Sequence, residues 1–115
     1  MSRDLPDLSD FWGSDEIFSH WTGKSYTQGI DHVAKTCGAY WLIDVVMSAQ
    51  LDKKVKGEEF QIWTLVVTAN SAVITCKGDT SWPIVYEQKI EYTDFPEGEF
   101  KMFFENETLC LPSER

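Results

Sequence analysis

Asp44 is the single carboxylate in the most apolar window of the chain, Gly38-Ala39-Tyr40-Trp41-Leu42-Ile43-Asp44-Val45-Val46. An acid in such a setting can be a general base, a hydrogen-bonded strut or the polar edge of a helix. General acid–base chemistry needs a second ionisable group within reach, and local spacing fixes none beside it. Trp41, Asp44 and Ser48, three and four residues apart, share one helical face. The indole, the Ser48 hydroxyl or a loop amide can then satisfy the carboxylate, as burial demands. Asp44 is accordingly read as a structural buried acid. His20 and His32 are the two histidines. The adjacent pair Asp31-His32 would point about 100° apart on a helix and would not normally meet. Glu58-Glu59 and the carboxylates of 87–107 lack the alternate-position ligands and loop glycine of a calcium loop. Cys37, Cys76 and Cys110 form no CxxC and have no histidine at zinc spacing. Phosphate-binding glycine loops and nucleophile elbows are absent. No catalytic residue, metal or cofactor is assigned.

The charge has a pattern. The net charge of -9 divides into -4 over residues 1–16, 0 over 17–85 and -5 over 86–115. Two acidic regions thus flank a neutral centre. A field of this sign repels nucleic acid and anionic lipid and speeds encounter with basic protein surfaces. The exposed candidates are Glu87, Glu91, Asp94, Glu97 and Glu99, with solubility as their plainer role. Three cysteines, an odd number, and no secretory signal point to a reducing cytoplasm, with all three thiols free.

These residues have to be positioned by elements that the hydrophobic period reveals. At 115 residues the chain is expected to be a single domain, 1–115. Residues 1–13, with Leu5, Pro6, Leu8, Phe11 and Trp12 among acids, suit an extended acidic arm. The helical part spans 14–50. Ser14 is expected to cap a short helix carrying Ile17, Phe18 and Trp21. Thr27 should cap a second with Ile30, Val33, Ala34 and Cys37 on one face, closed by Gly38. A third, Tyr40 to Gln50, is apolar on nearly every side and should be central. Beyond a lysine-rich hinge the period changes from 3.6 to 2, so 59–111 reads as an antiparallel sheet. Its strands run over 60–68, 72–77, 83–92, 100–104 and a short 108–111. The expected fold is α+β, two or three N-terminal helices packed on one face of a four- to five-stranded antiparallel meander. The strand Phe60 to Thr68 is apolar on both sides, which leaves an apolar strip of Trp63, Val85 and Phe103 either covered or open to a partner.

GAYWLIDVV at 38–46, FQIWTLVV at 60–67, EYTDFP at 91–96 and LCLPSE at 109–114 together resemble an uncharacterised family of small bacterial and phage-encoded proteins, a domain of unknown function. The resemblance runs over about residues 9–114 and carries no known site across. It implies a cytosolic single-domain product of bacterial or mobile-element origin. The expected function is a small acidic, non-enzymatic protein-binding module. In its narrowest form this is a phage or mobile-element inhibitor of a host defence system, anti-CRISPR-like, that occupies a basic nucleic-acid-binding surface. The alternatives are a small ligand-binding protein or enzyme with a pocket between helices and sheet lined by Asp44, His20 or His32, and a structural homodimer joined through the Trp63 strand.

Overall fold

The computed structural model describes residues 17–20, 22–78 and 83–114. The expected arm over 1–13, the Ser14 cap and Trp21 lie outside the described residues. Two short strands, β1 (Ile17–Ser19) and β2 (Ser25–Thr27), precede α1 (Gln28–Cys37), α2 (Tyr40–Ala49) and the single-turn α3 (Lys53–Lys56). Then come β3 (Phe60–Thr68), β4 (Ser71–Lys77), β5 (Ile84–Ile90), β6 (Gly98–Glu105), β7 (Thr108–Cys110) and a 3-10 turn, Pro112–Glu114.

The helices begin and end where capping chemistry allows. The Thr27 side chain accepts from the Ile30 N–H at the start of α1, and Gly38 closes it at φ 62°. Asp52 caps α3 by accepting from the Lys54 N–H. Two hairpins, β3–β4 and β6–β7, turn on Ala69-Asn70 and Asn106-Glu107, all four residues at positive φ. Such paired left-handed residues match the right-handed strand twist and permit two-residue loops.

The sheet corrects the expected meander. Among the described residues it has seven strands in the order β1-β2-β7-β6-β3-β4-β5. All pairings are antiparallel except β2 with β7, which is parallel. The segment expected to form a helix after Ser14 instead contains β1, hairpinned to β2. Three-residue strands are too short to show a period of 2, and β2 finds its partner β7 only through the tertiary fold. The meander also fails after β5, because β6 returns to the far side of β3. The chain must cross roughly 14 Å, three strand spacings, to get there. The EYTDFP segment makes this crossing. The Thr93 N–H donates to the Asn70 carbonyl at 2.8 Å, clipping the chain to the β3–β4 turn. Phe95 is buried and packs 5.5 Å from the Phe100 ring.

One sheet face packs on the helices. Gln61, Trp63, Leu65 and Val67 of β3, Ile74 and Cys76 of β4, and Phe100, Met102 and Phe104 of β6 are all buried. They meet Ile30, Val33, Leu42, Ile43, Val46 and Met47 in one core. The two buried glutamines pair amide to amide at 2.8 Å in both directions. The Gln61 carbonyl also accepts from the Trp63 indole at 2.9 Å, and its amide donates to the carbonyls of Val55 and Glu58. An unpaired buried amide would be costly, and among the described residues no buried side-chain polar atom lacks a partner.

Both edges of the sheet reach α2. Asp44 meets His20, which follows β1, while Trp41 and Val45, within one turn of it, face Gln88 and Ile90 of β5 across a groove. A flat sheet of this size would hold its outer strands roughly 29 Å apart. The sheet is therefore coiled about α2, which is central as expected, though Tyr40, Asp44 and Ser48 remain exposed.

Candidate functional site

The acidic residues lie where a partner can reach them. Glu87, Glu91, Asp94, Glu97 and Glu99 are all exposed. Glu87 is in mid-β5 and pairs across the ladder with Thr75, on the face away from the helices. Glu91, Asp94 and Glu97 follow along the crossing segment, and Glu99 opens β6. Four of the five are thus strung along one end of the sheet, because the crossing chain runs over that end. Asp94 accepts from the Tyr92 hydroxyl at 2.9 Å, which raises the phenol's pKa above its usual value. Glu99 lies 3.7 Å from Lys101, a loose exposed pair.

Beside this end lies the open groove between α2 and β5. Trp41, Val45, Ile90, Tyr92, Thr93 and Asp94 line it. Tyr92 is 68% exposed, a large apolar surface left to solvent. The combination of an acidic rim and aromatic walls suits a basic segment carrying an apolar anchor.

The expected apolar strip does not exist as one surface. Trp63 is 0% exposed and faces the helices, 5.5 Å from Tyr86. Phe103 is on the opposite face, edge-on to Phe60 at 5.1 Å. Val85 is half-buried at an irregularity where the β4–β5 register shifts beside Lys77. A period of 2 tells which residues share a face but not which face the helices cover, and the shift at Lys77 breaks the alternation before Ile84.

Asp44 is also not the buried acid expected. Its side chain is 60% exposed, and its partner is His20, whose Nε2 lies 2.8 Å from Oδ1. The correction follows from the coiled sheet, which brings the β1–β2 turn onto α2. The backbone N–H of Thr22 donates to His20 Nδ1, so that nitrogen is the acceptor and Nε2 carries the proton shared with Asp44. The Thr22 hydroxyl is 2.8 Å from the same Nδ1. A hydroxyl, an imidazole and a carboxylate in line are the parts of an activated nucleophile. Here Nδ1 is already taken by its own turn and the carboxylate faces water, so the three act as a latch. His32 is on α1.

At the other end of the sheet Lys24, Lys56, Glu58, Glu59 and Glu107 rim a shallow polar cleft over Gln50 and Gln61. Lys24 donates to Glu107 at 2.8 Å and holds that carboxyl below its ordinary pKa. The charges there are mixed. Cys37, Cys76 and Cys110 are all buried. Burial, with the Glu58 charge second, pushes the Cys76 thiol up to about 12. Among the described residues no group of His, Cys, Asp and Glu is placed to hold a metal, and no helix is long and apolar enough to cross a membrane.

Sequence reasoning missed Glu114. Its carboxylate bonds the Thr27 hydroxyl and accepts from the N–H groups of Gly29 and Leu111 at 3.1 and 3.0 Å. An acid at a helix N-terminus was readable only by knowing that residue 114 returns to residue 29. The four motifs now have structural roles: α2, the Gln61–Trp63 core, the Thr93–Phe95 crossing and the Glu114 clamp. A family model for the family of unknown function DUF6876 matches residues 3–115. The chain belongs to that family. No curated protein and no solved structure matches it.

Proposed function

We propose that this member of DUF6876 is a non-enzymatic protein-binding module that offers its acidic end to a basic surface of another protein. The observation that carries the reading is the placement of Glu91, Asp94, Glu97 and Glu99 along one exposed end, beside a groove walled by Trp41 and Tyr92. Acidic residues spread for solubility alone need not gather where an aromatic groove opens. The partner's basic face would be of the kind that binds nucleic acid, and direct nucleic-acid or membrane binding is disfavoured by the same field. Inhibition of a host defence nuclease by a phage or mobile-element product is the narrowest form of this reading. Three cysteines, an odd number and all buried, favour a reducing, cytoplasmic setting.

The test is kinetic. Partners cross-linked to the wild-type protein are purified, and association rates are measured over a salt series for the wild type and Glu91→Lys/Asp94→Lys. The double variant is expected to associate roughly 10-fold more slowly at low salt, with a flatter salt dependence. Equal rates at every salt concentration would reduce the acidic end to a solubilising surface.

A further inference from the structure

β5 is the last strand of the sheet and, among the described residues, is paired only with β4. Alternate residues of an antiparallel edge strand turn both N–H and C=O outward, a template for another strand. The register shift beside Lys77 limits the regular part of β5 to Tyr86–Ile90, which pairs residue by residue with 72–76. That stretch, Tyr86-Glu87-Gln88-Lys89-Ile90, is self-complementary about its middle residue. A second copy laid antiparallel along the edge, with the two-fold axis through Gln88, sets each Glu87 opposite Lys89 of the other copy. On the helix side it sets each Tyr86 opposite Ile90 of the other copy, and Gln88 opposite itself.

We infer that the β5 edge is a docking strand for a second copy of this chain, joining two sheets into one. Register selects this arrangement. An axis through Glu87 or Lys89 would place like charges face to face, which is destabilising. An axis between residues would send the helix side of one copy to the opposite face of the other. Only the Gln88 axis pairs both charges and keeps both helical layers on one side. Within the chain neither Glu87 nor Lys89 forms an ion pair among the described residues. Gln88 accepts from the Tyr86 hydroxyl at 2.7 Å through Oε1, leaving its amide hydrogens for the facing Gln88. Charged edge residues commonly serve to block pairing. Blocking requires a charge but no symmetry, and here the signs are arranged to match under rotation. Glu91, Asp94, Glu97 and Glu99 fall outside the paired residues, whereas Gln88 and Ile90 belong both to the paired stretch and to the α2–β5 groove.

Sedimentation equilibrium of the 13.2 kDa chain over a concentration series tests it. The wild type is expected to dimerise reversibly. Glu87→Lys and Lys89→Glu each place two like-charge pairs across the axis and should weaken the dimer on the order of 10- to 100-fold. The double exchange Glu87→Lys/Lys89→Glu restores opposite charges and should return the constant to within a few-fold of wild type. A mixture of the two single variants should form mixed dimers. Thermal melts check that every variant folds. A wild type that stays monomeric to about millimolar concentration, single variants with the parental constant, or a double exchange that fails to restore it would each overturn the inference.

Discussion

The two edges of the sheet are held in opposite ways. The β1–β2 edge consists of three-residue strands, too short to stand by their ladder alone. It is stapled by contacts from distant parts of the chain: Glu114 on Thr27 and Gly29, Lys24 on Glu107, and Asp44 on His20. The β5 edge has a long ladder with β4 and the Tyr86–Trp63 ring contact, and faces an open groove. Local strands that lack length need long-range polar anchors, whereas a long strand is stable on its ladder and can leave its outer edge for a partner. The comparison separates a stability edge from an interaction edge.

The largest break in this contrast should come from Glu114→Ala, which removes the acceptor for two backbone N–H groups and the Thr27 hydroxyl. A loss of about 2–4 kcal/mol in urea unfolding is expected, with β2 and α1 losing amide protection before β4 and β5. Gly29→Ala strikes the same clamp, since its Cβ would sit 2.6 Å from both Glu114 Oε1 and Leu111 Cδ1. It should cost about 1–3 kcal/mol alone. In the Glu114→Ala background the cost should shrink, and full additivity would show that the clamp is not where the strain falls.

Asp44→Ala sharpens the comparison at smaller scale. The carboxylate is 60% exposed, so the latch to His20 should contribute no more than about 1 kcal/mol. Its expected signature is faster amide exchange confined to the β1–β2 turn, and a loss spread over α2 would instead return Asp44 to a core role.

The smallest effect belongs to Lys24 and Glu107. The folded pKa of Glu107 is depressed by Lys24, so the pair contributes above the unfolded carboxyl pKa and the contribution disappears as pH falls through the folded value. The carboxylate is exposed, and salt should erase the difference between the wild type and Lys24→Met at neutral pH. A difference that survives high salt would mean that the lysine stem packs rather than pairs.

Much of the architecture was legible because its causes are local. Thr27 and Gly38 bracket α1 through capping geometry, and the strand period from Phe60 onward located β3 to β7 to within a few residues. The helix expected after Ser14 failed at β1, where three residues give no period to read. The meander failed at residues 91–97, whose turn signals say that the chain leaves β5 but not where it goes. The exposure of Glu87 to Glu99 followed from charge and alternation. The partner of Asp44 did not, because residue 20 is neither near it in sequence nor on the same element.

By itself, then, the sequence determined the caps, the strand periods, the cysteines' small apolar character and the acidic stretch from Glu87 to Glu99. Each depends on neighbours within a few residues, where backbone geometry dictates which groups can meet. The tertiary structure alone decided the strand order, the parallel β2–β7 pair, the side of β3 on which Trp63 is buried, the His20–Asp44 latch and the Glu114 clamp. Those depend on coiling the whole sheet around α2, and apolar burial rewards that closure without naming in any local pattern which distant groups it will bring together.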